Sequence, residues 1–267
     1  MVKTSIPSTV LGEVTVDHGP EELLVPLFLR VENAIRQLGL RLSLVTFDTL
    51  LEINAANRDS WMPLFPVYQP GFWPDAVGDT FCLCARDAVG RAVATLAVRV
   101  YDWPASTFHD EACSLRLFYG DVERFRGRDE KCSVSAVSTR GVCGRVALAG
   151  AVWVHPDWRK HPRLMVLMPR FARAYALARW NIDFYTLLMT EAVFRGGLTR
   201  KTGMGKNDWS VDMHACPLGN LRLGFLWMNR TDVHEDLSRC LVDLGSEFDM
   251  WVNPHGPPPA RAMLNLR

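Results

Sequence analysis

Residues around one predicted turn have the chemistry to bind an anion. Arg159, Lys160, His161 and Arg163 flank Pro162, where a helix is predicted to begin. The N-terminus of a helix offers backbone N–H groups and the positive end of the helix dipole. Two arginines four residues apart at that point could both hydrogen-bond one bound anion. The alternative interpretation is a solvated basic loop without a ligand.

Three further side chains are candidates for catalysis or for a core role. His155 follows an apolar segment and could act as a general base, or it could be an ordinary turn residue. Tyr185 lies in a predicted strand and could donate a proton, or it could be a core tyrosine. Cys143, in a Gly-Val-Cys-Gly loop just before that apolar segment, would need a base such as His155 or His214 to act as a nucleophile. A cysteine in a strand, such as Cys82 or Cys84, is usually a small core residue.

An aromatic segment precedes these residues in the chain. Residues 61–74 read WMPLFPVYQPGFWP, and the four prolines predict a loop that is unusually apolar. One interpretation is the apolar wall of a ligand pocket. The other is a loop that simply packs over a sheet. The aromatic residues that would form the wall are Trp61, Phe65, Tyr68, Phe72 and Trp73.

Composition limits the classes of protein that fit this chain. The sequence has 267 residues, is 48% hydrophobic and has a formal net charge of +1, which gives no indication of a nucleic-acid partner. Neither an N-terminal apolar signal segment nor a transmembrane segment is predicted. The seven cysteines include no C-x-x-C pair, so we expect no metal site and free thiols in a reducing cytoplasm. We expect one domain over residues 1–252 and a Pro-rich tail over 253–267.

Hydrophobic periodicity predicts the elements that position these side chains. The expected fold class is α/β or α+β, with a mixed central sheet flanked by helices. The predicted elements in chain order are helices at 26–39 and 46–57, a hairpin at 81–101, a helix at 112–126, a buried strand at 146–154, a helix at 162–180, a buried strand at 184–189, a short helix at 190–203, a hairpin at 209–228 and a helix from 232.

The order of these elements and one motif resemble the GCN5-related N-acetyltransferase (GNAT) superfamily. The signature turn of that family has the form V-x-P-x-x-R-x-x-G-x-G/A. Val154, Pro156 and Arg159 match it in register, whereas Pro162 and Leu164 replace its glycine-type positions. Pro162 removes one backbone donor, and Leu164 adds bulk where the family keeps the backbone bare.

The resemblance implies a donor, an acceptor and a set of contacts. The donor would be acetyl-CoA or a longer acyl-CoA, no metal would be needed, and the acceptor would be a small-molecule or peptide amine. The aromatic loop would help to shape the acceptor or acyl pocket, which would suit a long acyl chain or an aromatic acceptor better than a polyamine. Backbone N–H groups of residues 152–154 would polarise the thioester carbonyl. The strands 146–154 and 184–189 would be adjacent and parallel, and would part at their C-terminal ends. The implied donor-binding residues are Val152, Trp153, Val154, Arg159, Lys160, His161, Arg163 and Leu164.

A second family motif, Y-x-K-x-G-F, is only partly present. Lys201 and Gly203 keep their places, but Thr199 stands where the family has the tyrosine that protonates the leaving thiolate. A threonine hydroxyl is too weak an acid for that task at neutral pH. Another group serves, or the thiolate leaves unassisted, or the chain transfers no acyl group.

The departures from both motifs leave two alternative functions open. The first is a long-chain N-acyl synthase that takes its acyl group from an acyl-carrier protein, as acyl-homoserine-lactone synthases do. The second is a catalytically silent protein that uses the same fold to bind a ligand or a partner. The sequence leaves the acceptor, the acyl length and the oligomeric state undetermined.

Overall fold

A single eight-stranded sheet organises the chain. The structure is a computed structural model that describes residues 10–73 and 78–252. The strands lie in the spatial order β1-β2-β3-β5-β6-β8-β7-β4, and every neighbouring pair is antiparallel except β5 and β6. The strands are β1 (Arg41–Val45), β2 (Thr80–Arg86), β3 (Ala92–Trp103), β4 (Lys131–Val134), β5 (Gly144–Val154), β6 (Phe184–Thr190), β7 (Lys206–Cys216) and β8 (Gly219–Asn229).

Eight α-helices accompany the sheet within the described residues. They are α1 (Glu21–Gln37), α2 (Phe47–Ala56), α3 (Phe108–Cys113), α4 (Val122–Phe125), α5 (Pro162–Trp180), α6 (Glu191–Arg195), α7 (Leu198–Thr202) and α8 (Arg230–Val252). The predicted fold class, a mixed sheet flanked by helices, is confirmed. Both predicted hairpins, the long helix from Pro162 and the αL residue Asn181 that ends it are also present.

The alternation of side chains along the strands builds one apolar core on each face of the sheet. One core joins α1, α5 and α8 to residues such as Ala147, Tyr185 and Leu187. The other joins α2, α3 and the aromatic loop to residues such as Leu148 and Phe225. Because helices or loops cover both faces, the central strands β5 and β6 are apolar along most of their length.

The two central strands behave as the resemblance implies. They are parallel neighbours and pair from Val146 with Phe184 to Ala149 with Leu187. Beyond that point β5 continues to Val154 and β6 to Thr190 without further pairing between them. The prediction of adjacent parallel strands that part at their C-terminal ends is confirmed.

Several predicted boundaries are wrong, each for a local reason. The first helix begins at Glu21 and contains Pro26, because Glu21 and Glu22 occupy its first turn, where carboxylates complement the dipole. The helix predicted at 112–126 is broken into α3 and α4. A capping box formed by Thr107 and Asp110 starts α3 early, and Leu115 has a positive φ. The short edge strands β1 and β4 were not predicted.

All seven cysteines are free thiols, and burial raises the pKa of Cys84 to about 11, so that thiol stays protonated at neutral pH. Among residues 10–73 and 78–252, no helix is long and apolar enough to cross a membrane. The predicted Pro-rich tail, 253–267, lies outside the described residues.

Candidate active site

A large cleft lies where β5 and β6 part. Its volume is about 710 Å³, and both strand ends line it, with Gly150 to Val154 on one side and Leu187 to Thr190 on the other. Its lining includes Leu148 and Leu188 from the core on one face of the sheet, and Leu187 and Met189 from the core on the other. The gap between the strands therefore makes the cleft accessible to groups from both faces of the sheet.

A bulge in β5 sits at the centre of this cleft. Ala97 pairs with Gly150 and Thr95 with Trp153, so the single residue between them on β3 opposes Ala151 and Val152. Ala151 has a φ of 49°, and the hydroxyl of Thr95 donates to its carbonyl oxygen at 2.9 Å. A bulge leaves one residue out of the ladder and redirects its neighbours. Because β6 has already diverged, the outer backbone groups of this segment face the cleft without a strand partner among the described residues.

The aromatic loop forms the wall of the cleft with part of its length only. Trp61, Phe65 and Tyr68 line the cavity. Phe72 and Trp73 do not, which corrects the prediction for these two. Phe72 packs against Tyr119 and Phe125 with ring centroids 5.4 Å apart in each case. The indole nitrogen of Trp73 donates to the carbonyl oxygen of Phe118 at 3.1 Å, which holds that ring away from the cavity.

Two contacts fix the start of this loop to the end of β5. Trp61 stacks on Trp153 with centroids 5.2 Å apart and an interplanar angle of 11°. Arg159 donates from Nε to the carbonyl oxygen of Val154 at 3.1 Å and from Nη2 to that of Ser60 at 3.0 Å. Arg159 lines the cleft, and its role in donor binding stays a prediction. Two of its donors serve the backbone, because the loop and the strand end bring two carbonyls within its reach.

Arg99 supports the same loop from within the sheet, and sequence analysis missed it. Its side chain is buried and donates from Nε to the carbonyl oxygen of Val67 at 3.1 Å. Its guanidinium carbon lies 4.1 Å from the centroid of the Trp73 ring, which is a cation–π contact. Burial lowers the pKa of Arg99. The signal in the sequence is a single arginine inside the apolar strand AVATLAVRVY.

The N-terminus of α5 has no side-chain cap and no acidic residue in its first turn. His161 is the N-cap residue and makes no capping hydrogen bond. Lys160 and Arg163 are exposed beside it. Pro162 is the first residue of the helix, where a missing N–H removes no intrahelical hydrogen bond. These residues fit a pyrophosphate group.

The structure corrects the role of Leu164. Its side chain is fully buried and packs into the core beneath α1 and α5, because a residue in the first turn of an amphipathic helix follows the buried stripe. It does not contact the cleft. Its bulk therefore lies in the core rather than on the outer side of the helix N-terminus.

The cleft lining includes none of the side chains at predicted catalytic positions, which are His155, Tyr185 and Thr199, and it does not include Cys143 either. His155 accepts a hydrogen bond at Nδ1 from the backbone N–H of Asp157 at 3.3 Å and so caps a 3-10 turn. Tyr185 is buried on the face that packs against α5, where its hydroxyl has no hydrogen-bond partner. Thr199 lies in α7, and its carbonyl oxygen accepts a hydrogen bond from the hydroxyl of Thr202. The turn, the core and the short helix explain these three residues without catalysis.

Lys201 does line the cleft, and a buried ionic network holds the helix that carries it. Arg170 donates to the carbonyl oxygen of Lys201 at 3.0 Å, and Arg173 donates to that of Thr202 at 2.9 Å. Both arginines also pair with Asp236 of α8. Gly203, with a φ of 75°, ends α7 against this carboxylate, where any Cβ would collide with Asp236. The α7 end of the cleft is therefore fixed from α5 and α8.

Solved structures resemble this chain in fold, but their sequence identity to it is low. No protein-family model and no curated protein matches the chain. Arabidopsis thaliana NAA60 in complex with acetyl-CoA is 11% identical with a TM-score of 0.43, covering 72% of this chain and 99% of its own. A spermidine N-acetyltransferase SpeG chimera from Vibrio cholerae and hSSAT is 9% identical with a TM-score of 0.43, covering 74% and 99%.

A third solved structure shows the same level of likeness. Aminoglycoside acetyltransferase AAC(6')-Ib, in complex with coenzyme A and kanamycin, is 11% identical with a TM-score of 0.41, covering 73% of this chain and 98% of its own. At these identities, a similar fold does not show that two proteins share an activity or a substrate. The chemistry of this chain has to be argued from its own cleft.

Proposed function

We propose that the chain is an N-acyltransferase that moves an acyl group from a coenzyme A thioester to the amine of an apolar or aromatic acceptor. The observation that carries the proposal is the cleft between two parallel strands, with a bulge at Ala151 on its floor. The uncapped start of α5 follows the turn that leaves β5. A thioester could place its carbonyl at the bulge and its pyrophosphate at the helix.

The reaction needs positioning more than it needs acid or base groups. The neutral amine nitrogen attacks the thioester carbonyl carbon, and a C–N bond forms as the carbonyl oxygen gains negative charge. The C–S bond then breaks, the carbonyl reforms, and the proton lost by the amine ends on the thiolate sulfur. Backbone N–H groups at the bulge, around Val152 to Val154, would stabilise the oxyanion. The products are an amide and free coenzyme A.

The lining of the cleft supports an apolar substrate. Trp61, Phe65 and Tyr68 form one wall, and leucines of the strands form the floor. The charged side chains among the described lining residues are Arg159 and Lys201, and both are cationic. A polyamine would meet like charges there, whereas a long acyl chain or an aromatic amine would bury apolar surface.

A substitution at the N-cap of α5 tests the donor site. His161→Asp should stabilise the protein, by about 0.5–2 kcal/mol, because aspartate caps the free N–H groups and complements the dipole. The same carboxylate should weaken acyl-CoA binding by about tenfold or more, because it repels the phosphates and occupies their donors. Thermal unfolding and calorimetric titration with octanoyl-CoA measure the two effects.

The matched control is His161→Asn, which caps the helix without adding a charge. It should stabilise the protein to a similar extent and lose less affinity than the aspartate variant. If the aspartate variant gains stability and binds octanoyl-CoA as tightly as the natural protein, the start of α5 is not the donor site.

Two phenylalanines of one loop test the acceptor wall. Phe65→Ala should change the ratio of kcat/KM between apolar and small substrates by about tenfold, because it removes part of the cavity wall. Phe72→Ala removes an equal side chain that packs outside the cavity, so it should lower Tm and leave that ratio unchanged. Equal losses of stability with no change of preference in either variant would show that the loop only packs.

A further inference from the structure

Tyr68 places a hydroxyl group directly beside the bulge. It is the last residue of a 3-10 turn formed by Pro66 to Tyr68, and its side chain is buried at the cleft. A Cβ built on Gly150 would collide with the Tyr68 hydroxyl oxygen and lie 2.6 Å from two of its ring carbons. The phenol therefore lies against the bare backbone of Gly150, one residue before Ala151.

The hydroxyl is only weakly engaged in the protein itself. Its hydrogen bond goes to the carbonyl oxygen of Leu148 at 3.5 Å, which is at the limit for such a contact. A buried hydroxyl without a good acceptor costs free energy, so a ligand acceptor at that point would be favoured. Burial raises the pKa of Tyr68 well above its ordinary value, with smaller contributions from Tyr101 and Tyr185. The group can therefore donate a hydrogen bond at neutral pH but cannot remove a proton from an amine.

We infer that Tyr68 donates a hydrogen bond to the thioester carbonyl oxygen, and that this bond strengthens as the oxyanion forms. The inference rests on the proposed function. It assigns a side-chain donor that acts together with the backbone N–H groups of the bulge, at a position neither family motif covers. The absence of a side chain at Gly150 is part of this arrangement, because any Cβ there would displace the phenol from the bulge.

Infrared difference spectroscopy tests the inference without turnover. Octanoyl-CoA with a ¹³C-labelled thioester carbonyl is bound to the natural protein and to Tyr68→Phe in the absence of any amine. We expect the bound carbonyl stretch to lie at lower frequency than in solution, and part of that shift to be lost in Tyr68→Phe. An unshifted carbonyl in the natural protein, or the same shift in both proteins, overturns the inference.

Kinetics give a second readout, with 2-phenylethylamine as the acceptor. Tyr68→Phe should lower kcat by about 100- to 1,000-fold, as loss of one oxyanion donor does, and leave KM for octanoyl-CoA within about threefold. The control is Tyr185→Phe, which removes a buried hydroxyl outside the cleft and should leave kcat unchanged. Equal kcat in the natural protein and Tyr68→Phe defeats the role of Tyr68 alone. Failure of the natural protein to bind either octanoyl-CoA or acetyl-CoA defeats the proposed function and this inference with it.

Discussion

Replacing Asp236 by alanine should lower the free energy of unfolding by about 3–5 kcal/mol. The carboxylate pairs with Arg170 and Arg173, and the Arg173 side chain is fully buried. Removal of one partner leaves an uncompensated cation in a low-dielectric interior. The free-energy cost of that buried charge is larger than the stability that the intact ion pair contributes. Urea denaturation of both proteins, monitored by tryptophan fluorescence, measures the difference.

An exposed ion pair provides the control for this experiment. Asp212 lies 4.0 Å from Arg222, and 40% of its side chain is exposed. Asp212→Ala should therefore change stability by less than about 1 kcal/mol. A loss of similar size in both variants would show that the buried network is no stronger than a surface pair. It would also remove the reason to regard α7 as fixed from α5 and α8.

Replacing Gly150 by alanine should reduce acyl transfer by about 100-fold while the fold is retained. The new Cβ would occupy the space of the Tyr68 phenol, so the ring and the backbone at the bulge must shift. Such overpacking costs about 1–3 kcal/mol of stability, and a displacement of about 1 Å at a reacting group can cost about 100-fold in rate. Steady-state kinetics with octanoyl-CoA and thermal unfolding measure the two quantities.

Two further variants separate a collision from a general loss of flexibility. Gly205→Ala should be nearly neutral, because a Cβ at Gly205 meets no atom within 4 Å. The double change Gly150→Ala with Tyr68→Ala should recover part of the stability but not the activity. If Gly150→Ala alone retains full activity, the position of the phenol against Gly150 has no part in catalysis.

The central part of the fold could be predicted because its pattern is strong. The continuous apolar run from Val146 to Val154 is typical of a buried strand. The apolar residues after Pro162 repeat at the spacing of a helix. The edge strand Lys131–Val134 has only four residues, and its partner, β7, follows more than 70 residues later. Pairing at such separations is set by tertiary contacts, which a local pattern does not report.

The site was predictable in its place but less so in its side chains. The motif around Val154 and Arg159 pointed to the strand end that lines the cleft and to the helix that follows it. The bulge at Ala151 was missed, since a register shift depends on the partner strand. The sequence indicated Tyr68 only as part of a possible pocket wall. Its contact with Gly150 joins positions about 80 residues apart, which a local pattern does not report. His155 is a residue type that often acts as a general base, but its hydrogen bond within the turn that it caps determines its orientation.

Calorimetric titration of the natural protein with octanoyl-CoA, and with acetyl-CoA beside it, tests the central claim most directly. The claim is that the cleft between β5 and β6 and the start of α5 bind an acyl-CoA thioester. The account predicts saturable binding with one site per chain and a Kd between about 1 µM and 1 mM, with octanoyl-CoA the tighter of the two. Absence of heat and of saturation for both thioesters at millimolar concentration would contradict it, and would leave a carrier-protein donor or a silent binding protein as the remaining alternatives.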